Sequence, residues 1–276
     1  MTAFFLPLLA LAAAAAPPPP ADSRPPLSYA DAADLALAAP VVAHVRVAEA
    51  IALKDAPGSG VPAGLARLYV AADVIGLIRA PGALPARIAY LVDLPRDASG
   101  KAPRLKKGTE LLVLAAPVPG RDGELRLVAR DAQLAYSPAE AERLRAIVRE
   151  ATGRAAPPRI TGIGKAFHVP GAIPGESETQ FFLLTADARP VSLTVLRRPG
   201  QSPQWAVALG EIVDEAAAPP APGTLLWYRL ACTLPPRLPR QSLDEADAAG
   251  AAAIEADYRL VLDRLGPCVR TRRPLG

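Results

Sequence analysis

Thirty-two prolines spread through 276 residues limit this chain to short elements joined by many turns. A proline inside a helix removes a hydrogen bond and clashes with the preceding turn, and inside a sheet it leaves a gap in the ladder. Aromatic residues make up only 5% of the chain, so whatever core forms is aliphatic. About 260 residues past any leader suffice for one large core or two modest ones.

The chain opens MTAFFLPLLALAAAAAPPPP, an apolar run followed by small residues, the form of a secretory leader. Its amino-terminal part carries no Lys or Arg. The run from Ala3 to Ala16 is shorter than the ~20 residues a membrane-spanning helix requires, and Ala12 and Ala14 supply the small-x-small pair of a cleavage site. The expectation is a signal peptide over 1–16, a Pro-rich linker over 17–27 and a periplasmic or secreted bacterial protein. The alternative is an unstructured Ala/Pro segment on a cytosolic protein. The chain has two cysteines, Cys232 and Cys268, which an oxidising compartment would join. With neither a C-x-x-C spacing nor a neighbouring His to activate a thiol, they read as a structural disulfide.

Charge says little about partners. There are 26 arginines, 5 lysines and no asparagine, the bias of a GC-rich bacterial genome, so the pI of 9.3 is weak support for nucleic-acid binding. Residues 17–155 hold 18 basic and 15 acidic groups, and residues 156–276 hold 13 and 12. Neither half has the concentrated positive face that phosphate contact needs.

Patterning predicts a mainly β (α+β) protein of two β-rich units, over 28–153 and 154–276. Ser28 caps a short helix, with Asp31 and Asp34 near its positive end. From Val41 to Leu53, alternation puts Val41, Ala43, Val45 and Val47 on one side of a strand and His44 and Arg46 on the other. Further strands are expected at 65–78, 86–94, 109–116 and 124–130, with Asp122-Gly123 as a tight turn. Ser137, Pro138 and Glu140 open a closing helix as a capping box. Beyond 155–158, strands at 179–186, 190–197 and 204–213 read as an antiparallel meander, and 224–232 as another strand. A final helix is expected to open at Ser242 with Glu245 at N3 and to stop at Gly266-Pro267.

No G-x-S-x-G, H-E-x-x-H or P-loop motif is present. The one polar cluster with catalytic residue types is His168 with Glu176, Ser177 and Glu178. An imidazole and two carboxylates suit acid–base or metal chemistry, against the simpler reading of a polar loop facing water. Lys101, Arg104, Lys106 and Lys107 form a candidate anion surface or, more simply, a solvated loop. Trp227 is a candidate aromatic platform if its strand face is exposed, and otherwise a core residue. His44 reads as a solvated surface histidine. No cofactor is implied.

Ala39-Pro40-Val41-Val42-Ala43 entering a long strand, Tyr69 to Gly76 and Gly108 to Leu114 together resemble exported OB-type barrels of the TIMP/netrin kind, over residues 28–135. The resemblance implies a barrel. It carries no site residue, because the paired N-terminal cysteines through which that family's inhibitors act are missing here. The functional expectation is an exported, non-enzymatic protein that binds an envelope protein or ligand, with no nucleic-acid partner and no transmembrane span. The alternative is a hydrolase or metal-dependent enzyme with its polar site near residues 168–178.

Overall fold

A computed structural model of the chain describes residues 27–54, 60–210 and 218–272. The leader, most of the Pro-rich linker, the end of the strand expected at 204–213 and Arg273 lie outside the described residues. Helix α1 (Tyr29–Ala38) is capped as expected: Ser28 Oγ accepts from the Asp31 N–H, and the helix stops two residues before Pro40. Five strands follow, β1 (Val41–Ala52), β2 (Leu65–Arg79), β3 (Arg87–Pro95), β4 (Glu110–Pro117) and β5 (Glu124–Leu127). They pair in the order β1-β2-β3-β5-β4, and β4 returns to β1, which closes a barrel. All pairs are antiparallel except β3 with β5.

Inside the barrel, Val41, Ala43, Val45 and Val47 pack with the inward residues of the other strands. Val42, Leu112 and Leu114 are buried on the outside, against α1 and α2 (Pro138–Thr152). That second buried face explains why β4 reads as an unbroken apolar run rather than an alternating one. A short β6 (Gln133–Ala135) pairs with β4 outside the barrel, and Ser137 caps α2 through the Glu140 N–H.

The second unit is a four-stranded antiparallel sheet in the order β10-β9-β8-β7. Its strands are β7 (Ile160–Pro170), β8 (Ser177–Thr185), β9 (Val191–Arg197) and β10 (Gln204–Ala208). The Gly162–Lys165 stretch lies within β7, where the pairing with β8 is irregular. Helices α3 (Leu225–Ala231) and α4 (Ala248–Leu265) pack on the inner face, around Phe181, Leu193, Trp205, Ile254 and Tyr258.

Two expectations are corrected here. Residues 224–232 form a helix, not a strand: Thr224 Oγ1 accepts from the Trp227 N–H as its N-cap. The last long helix opens at Asp247, whose side chain accepts from the Gly250 N–H. Ser242 sits instead in a 3-10 turn, Arg240–Leu243. The Ser242 box does not form: the Ser242 side chain is buried within that turn, and the Glu245 carboxylate pairs with Lys165 on β7.

Cys232 and Cys268 are joined, with Cα atoms 5.0 Å apart and 36 positions between them. The bond clips the chain beyond α4 to the end of α3. From there residues 270–272 run onto the barrel unit. Arg270 Nε donates to Asp34 Oδ2 at 2.7 Å, and Arg272 Nε donates to Asp131 Oδ2 at 2.6 Å. The buried Asp31 carboxylate accepts from the Thr271 N–H at 2.7 Å, the Thr271 hydroxyl at 2.8 Å and the Arg272 N–H at 2.9 Å. Burial pushes the Asp31 carboxyl up, but the hydrogen bonds from Thr271, Ser28 and Arg272 outweigh it and hold the group below the usual range. A carboxyl lowered by folding contributes stability that is complete above its unfolded value, about pH 4, and is lost as pH falls through the lower folded value. Asp31→Ala is therefore expected to cost about 2–3 kcal/mol at pH 7, with the difference from wild type shrinking below pH 4. Urea midpoints at pH 7 and pH 3 check this, and a pH-independent difference would contradict it.

Candidate functional site

The long β7–β8 hairpin sets His168 directly across from Thr179. Thr179 shares the inward side of β8 with Phe181 and Leu183, all of them buried. Its hydroxyl donates to Asp257 Oδ2 at 2.5 Å. Asp257 projects from α4 between the core residues Ile254, Tyr258 and Val261 and is only 1% exposed. Its other oxygen, Oδ1, accepts from Arg197 Nε at 2.7 Å and Nη2 at 2.5 Å. One imidazole, one hydroxyl, one carboxylate and one guanidinium thus form a continuous chain from three strands and a helix.

This chain orients the imidazole. A threonine hydroxyl has a single proton, and here it is given to the carboxylate. His168 Nδ1, 2.9 Å from Thr179 Oγ1, must then be the donor. Nε2 is then the nitrogen left for other partners, and among the described residues it has no hydrogen-bond partner. His168 also lines a cleft of about 510 Å³ between β7 and the start of α4, with Phe167, Pro170, Glu245, Asp247 and Gly250 on its walls.

The other candidates lie elsewhere. Glu178 faces the opposite side of the sheet, where it accepts from Gln180 Nε2 at 2.6 Å. Glu176 closes the hairpin turn: its carbonyl accepts from the Gly171 N–H at 2.8 Å. Its side chain lies so close over Gly171 that a Cβ there would come within 2.4 Å of Glu176 Cγ. Ser177 pairs with Pro170 and Arg197 at the hairpin's turn end. His168 is thus joined to Thr179 and Asp257, not to the neighbours the sequence offered. Among the described residues no three His, Cys, Asp or Glu converge as a metal-ligand set.

Lys101, Arg104, Lys106 and Lys107 are exposed on the irregular connection between β3 and β4. Of the two readings of Trp227, the core one fits its 9% exposure. Its Nε1 donates to the Leu265 carbonyl at 2.8 Å, because the helix turns the ring toward α4. His44 is not solvated: it stacks on Tyr136 with ring centroids 3.7 Å apart, and its Nε2 lies 2.9 Å from Glu110.

Thr179, Arg197 and Asp257 escaped sequence reasoning. One signal was available: Asp257 interrupts an apolar stripe at helical spacing, and a carboxylate in such a stripe requires a buried partner. No family model matches this chain, and no curated protein matches it significantly.

Proposed function

We propose that this is an exported protein of the bacterial cell envelope, periplasmic or secreted, that works by docking a polypeptide partner on the outer face of its second sheet. The observation that carries the reading is the side of the β7–β8 hairpin turned away from α4. Phe167, Val169, Phe182 and Leu184 are between 38% and 62% exposed there, and Phe167 and Phe182 meet edge to face with centroids 5.9 Å apart. Gly162 and Gly164 border Leu184, so that a Cβ on either would lie 3.5 Å from a Leu184 methyl. Apolar clusters of this kind mark interaction surfaces.

Glu178 decides the class of partner. Its carboxylate stands on the same face as Phe182, two pairs of positions along β8. A negative charge there repels an anionic lipid surface and complements a polypeptide with apolar side chains and a basic residue. The leader and the joined cysteines support export. The strand order β1-β2-β3-β5-β4 with a parallel β3–β5 pair supports an OB-type, TIMP/netrin-like origin for the barrel.

A photo-reactive phenylalanine analogue in place of Phe182 tests the docking, with the same analogue at exposed Leu91 on the barrel as control. In the native host's envelope, position 182 is expected to give one discrete protein adduct that Glu178→Lys abolishes, and position 91 none. An adduct of twice the protein's own mass, a lipid adduct, or identical adducts at both positions would overturn the reading. Mass spectrometry of the same preparation is expected to find a chain starting between residues 12 and 16. An intact Met1 in the cytosol would refute export.

A further inference from the structure

We propose that the cleft beside β7 is a hydrolytic site for small uncharged esters, with His168 as its general base. The site stands on the inner side of the hairpin and is independent of the docking face. A general base needs an unprotonated nitrogen within reach of its substrate and a partner that keeps the ring in one tautomer and orientation. Thr179 and Asp257 meet the second requirement through the 2.9 Å and 2.5 Å hydrogen bonds. Arg197 serves it indirectly by holding Asp257 Oδ1. For the first, Nε2 makes no hydrogen bond to a described residue, and His168 lines a cleft of about 510 Å³. Thr179 and Asp257 are positioning residues; only His168 touches the reacting water.

The walls of the cleft select the substrate. Glu245 and Asp247 line it, and the nearby cation Lys165 is paired with Glu245. Glu245, Asp247 and Lys165 together leave no net positive charge on these walls to hold a phosphate or carboxylate substrate, whereas Ala166 and Pro170 offer apolar surface to a neutral acyl group. In the reaction, Nε2 takes a proton from water as the water oxygen bonds to the acyl carbon. The bond from that carbon to the alcohol oxygen then breaks, and the proton on Nε2 passes to the departing oxygen. The products are a carboxylic acid and an alcohol, and the ring returns to its starting state.

The test is hydrolysis of p-nitrophenyl acetate by the purified full-length protein, beside p-nitrophenyl phosphate and free imidazole at equal concentration. The acetate is expected to react at least about 100-fold faster than with imidazole, and the phosphate not at all. His168→Gln is expected to fall to the imidazole rate, and His44→Gln to retain the wild-type rate. Thr179→Ser restores the hydroxyl and is expected to keep activity, while Thr179→Val loses it and moves the midpoint of the pH–rate profile. A wild-type rate equal to that of imidazole, a His168→Gln variant as fast as wild type, or a Thr179→Val variant with an unchanged rate and profile would each overturn the proposal.

Discussion

Arg197→Met is expected to destabilise the protein by about 3–5 kcal/mol, more than Asp257→Leu does, although both remove the same ion pair. The asymmetry follows from burial. The Asp257 side chain is 1% exposed and that of Arg197 is 37% exposed. Deleting the arginine strands a carboxylate in the core with the Thr179 hydroxyl as its remaining donor. Deleting the aspartate leaves a guanidinium that can turn to water. The remaining cost is one lost hydrogen bond at Thr179, whose hydroxyl keeps His168 as a partner, about 1 kcal/mol, offset in part by a leucine that completes the stripe of Ile254, Tyr258 and Val261. The double variant is then expected to be more stable than Arg197→Met alone. Urea unfolding of the four proteins measures the cycle. Equal losses, or a larger loss for Asp257→Leu, would show that the buried carboxylate does not dominate.

Replacing both cysteines with serine is expected to cost about 4 kcal/mol, the chain-entropy value for a loop closed over 36 positions. The effect reaches beyond that loop. Cys268 lies two residues before Arg270, and residues 270–272 hold Asp34, Asp31 and Asp131. Without the crosslink the strap has no fixed starting point, so Asp31→Ala added to the serine variant should cost less than it does in wild type. Thermal unfolding with and without reductant gives the comparison. A melting temperature unaffected by reductant, or strict additivity with Asp31→Ala, would contradict it.

Most of the barrel was legible because its strands alternate and its turns carry glycine or proline; the predicted boundaries of β1 to β4 fall within a residue or so of the observed ones. Three strands of the antiparallel sheet were legible for the same reason, whereas β7, with glycines at 162 and 164 and an irregular pairing, was not. The strand-for-helix error at 224–232 has a specific cause. Over seven residues, Leu226, Tyr228 and Leu230 satisfy a period of two, while the buried Leu225, Trp227 and Leu230 form no single helical stripe, because α3 packs against α1 and α2 as well as α4. Thr224 as an N-cap was the deciding signal. At α4, two capping sequences lay within a few positions; Asp247 caps the helix, while Ser242 is buried in the preceding turn. The site was half legible. His168 stood out by type, but its partners lie 11 positions away in Thr179 and 78 further on in Asp257, and only strand register and helix packing bring them together. Nearby Glu176 and Glu178 were favoured because they were close in sequence, and alternation along β8 sends Glu178 to the other face.

The strap also reverses the usual relation between synthesis and completion. Asp31 belongs to the first helix the ribosome makes, yet its acceptor capacity is filled by residues 240 and 241 positions later. Until those arrive, α1 presents a carboxylate that favours water over the protein interior. A nonsense codon at position 269 would spare every described helix and strand and still release a product with α1 unfinished, a substrate for quality-control proteases rather than a slightly shorter working protein.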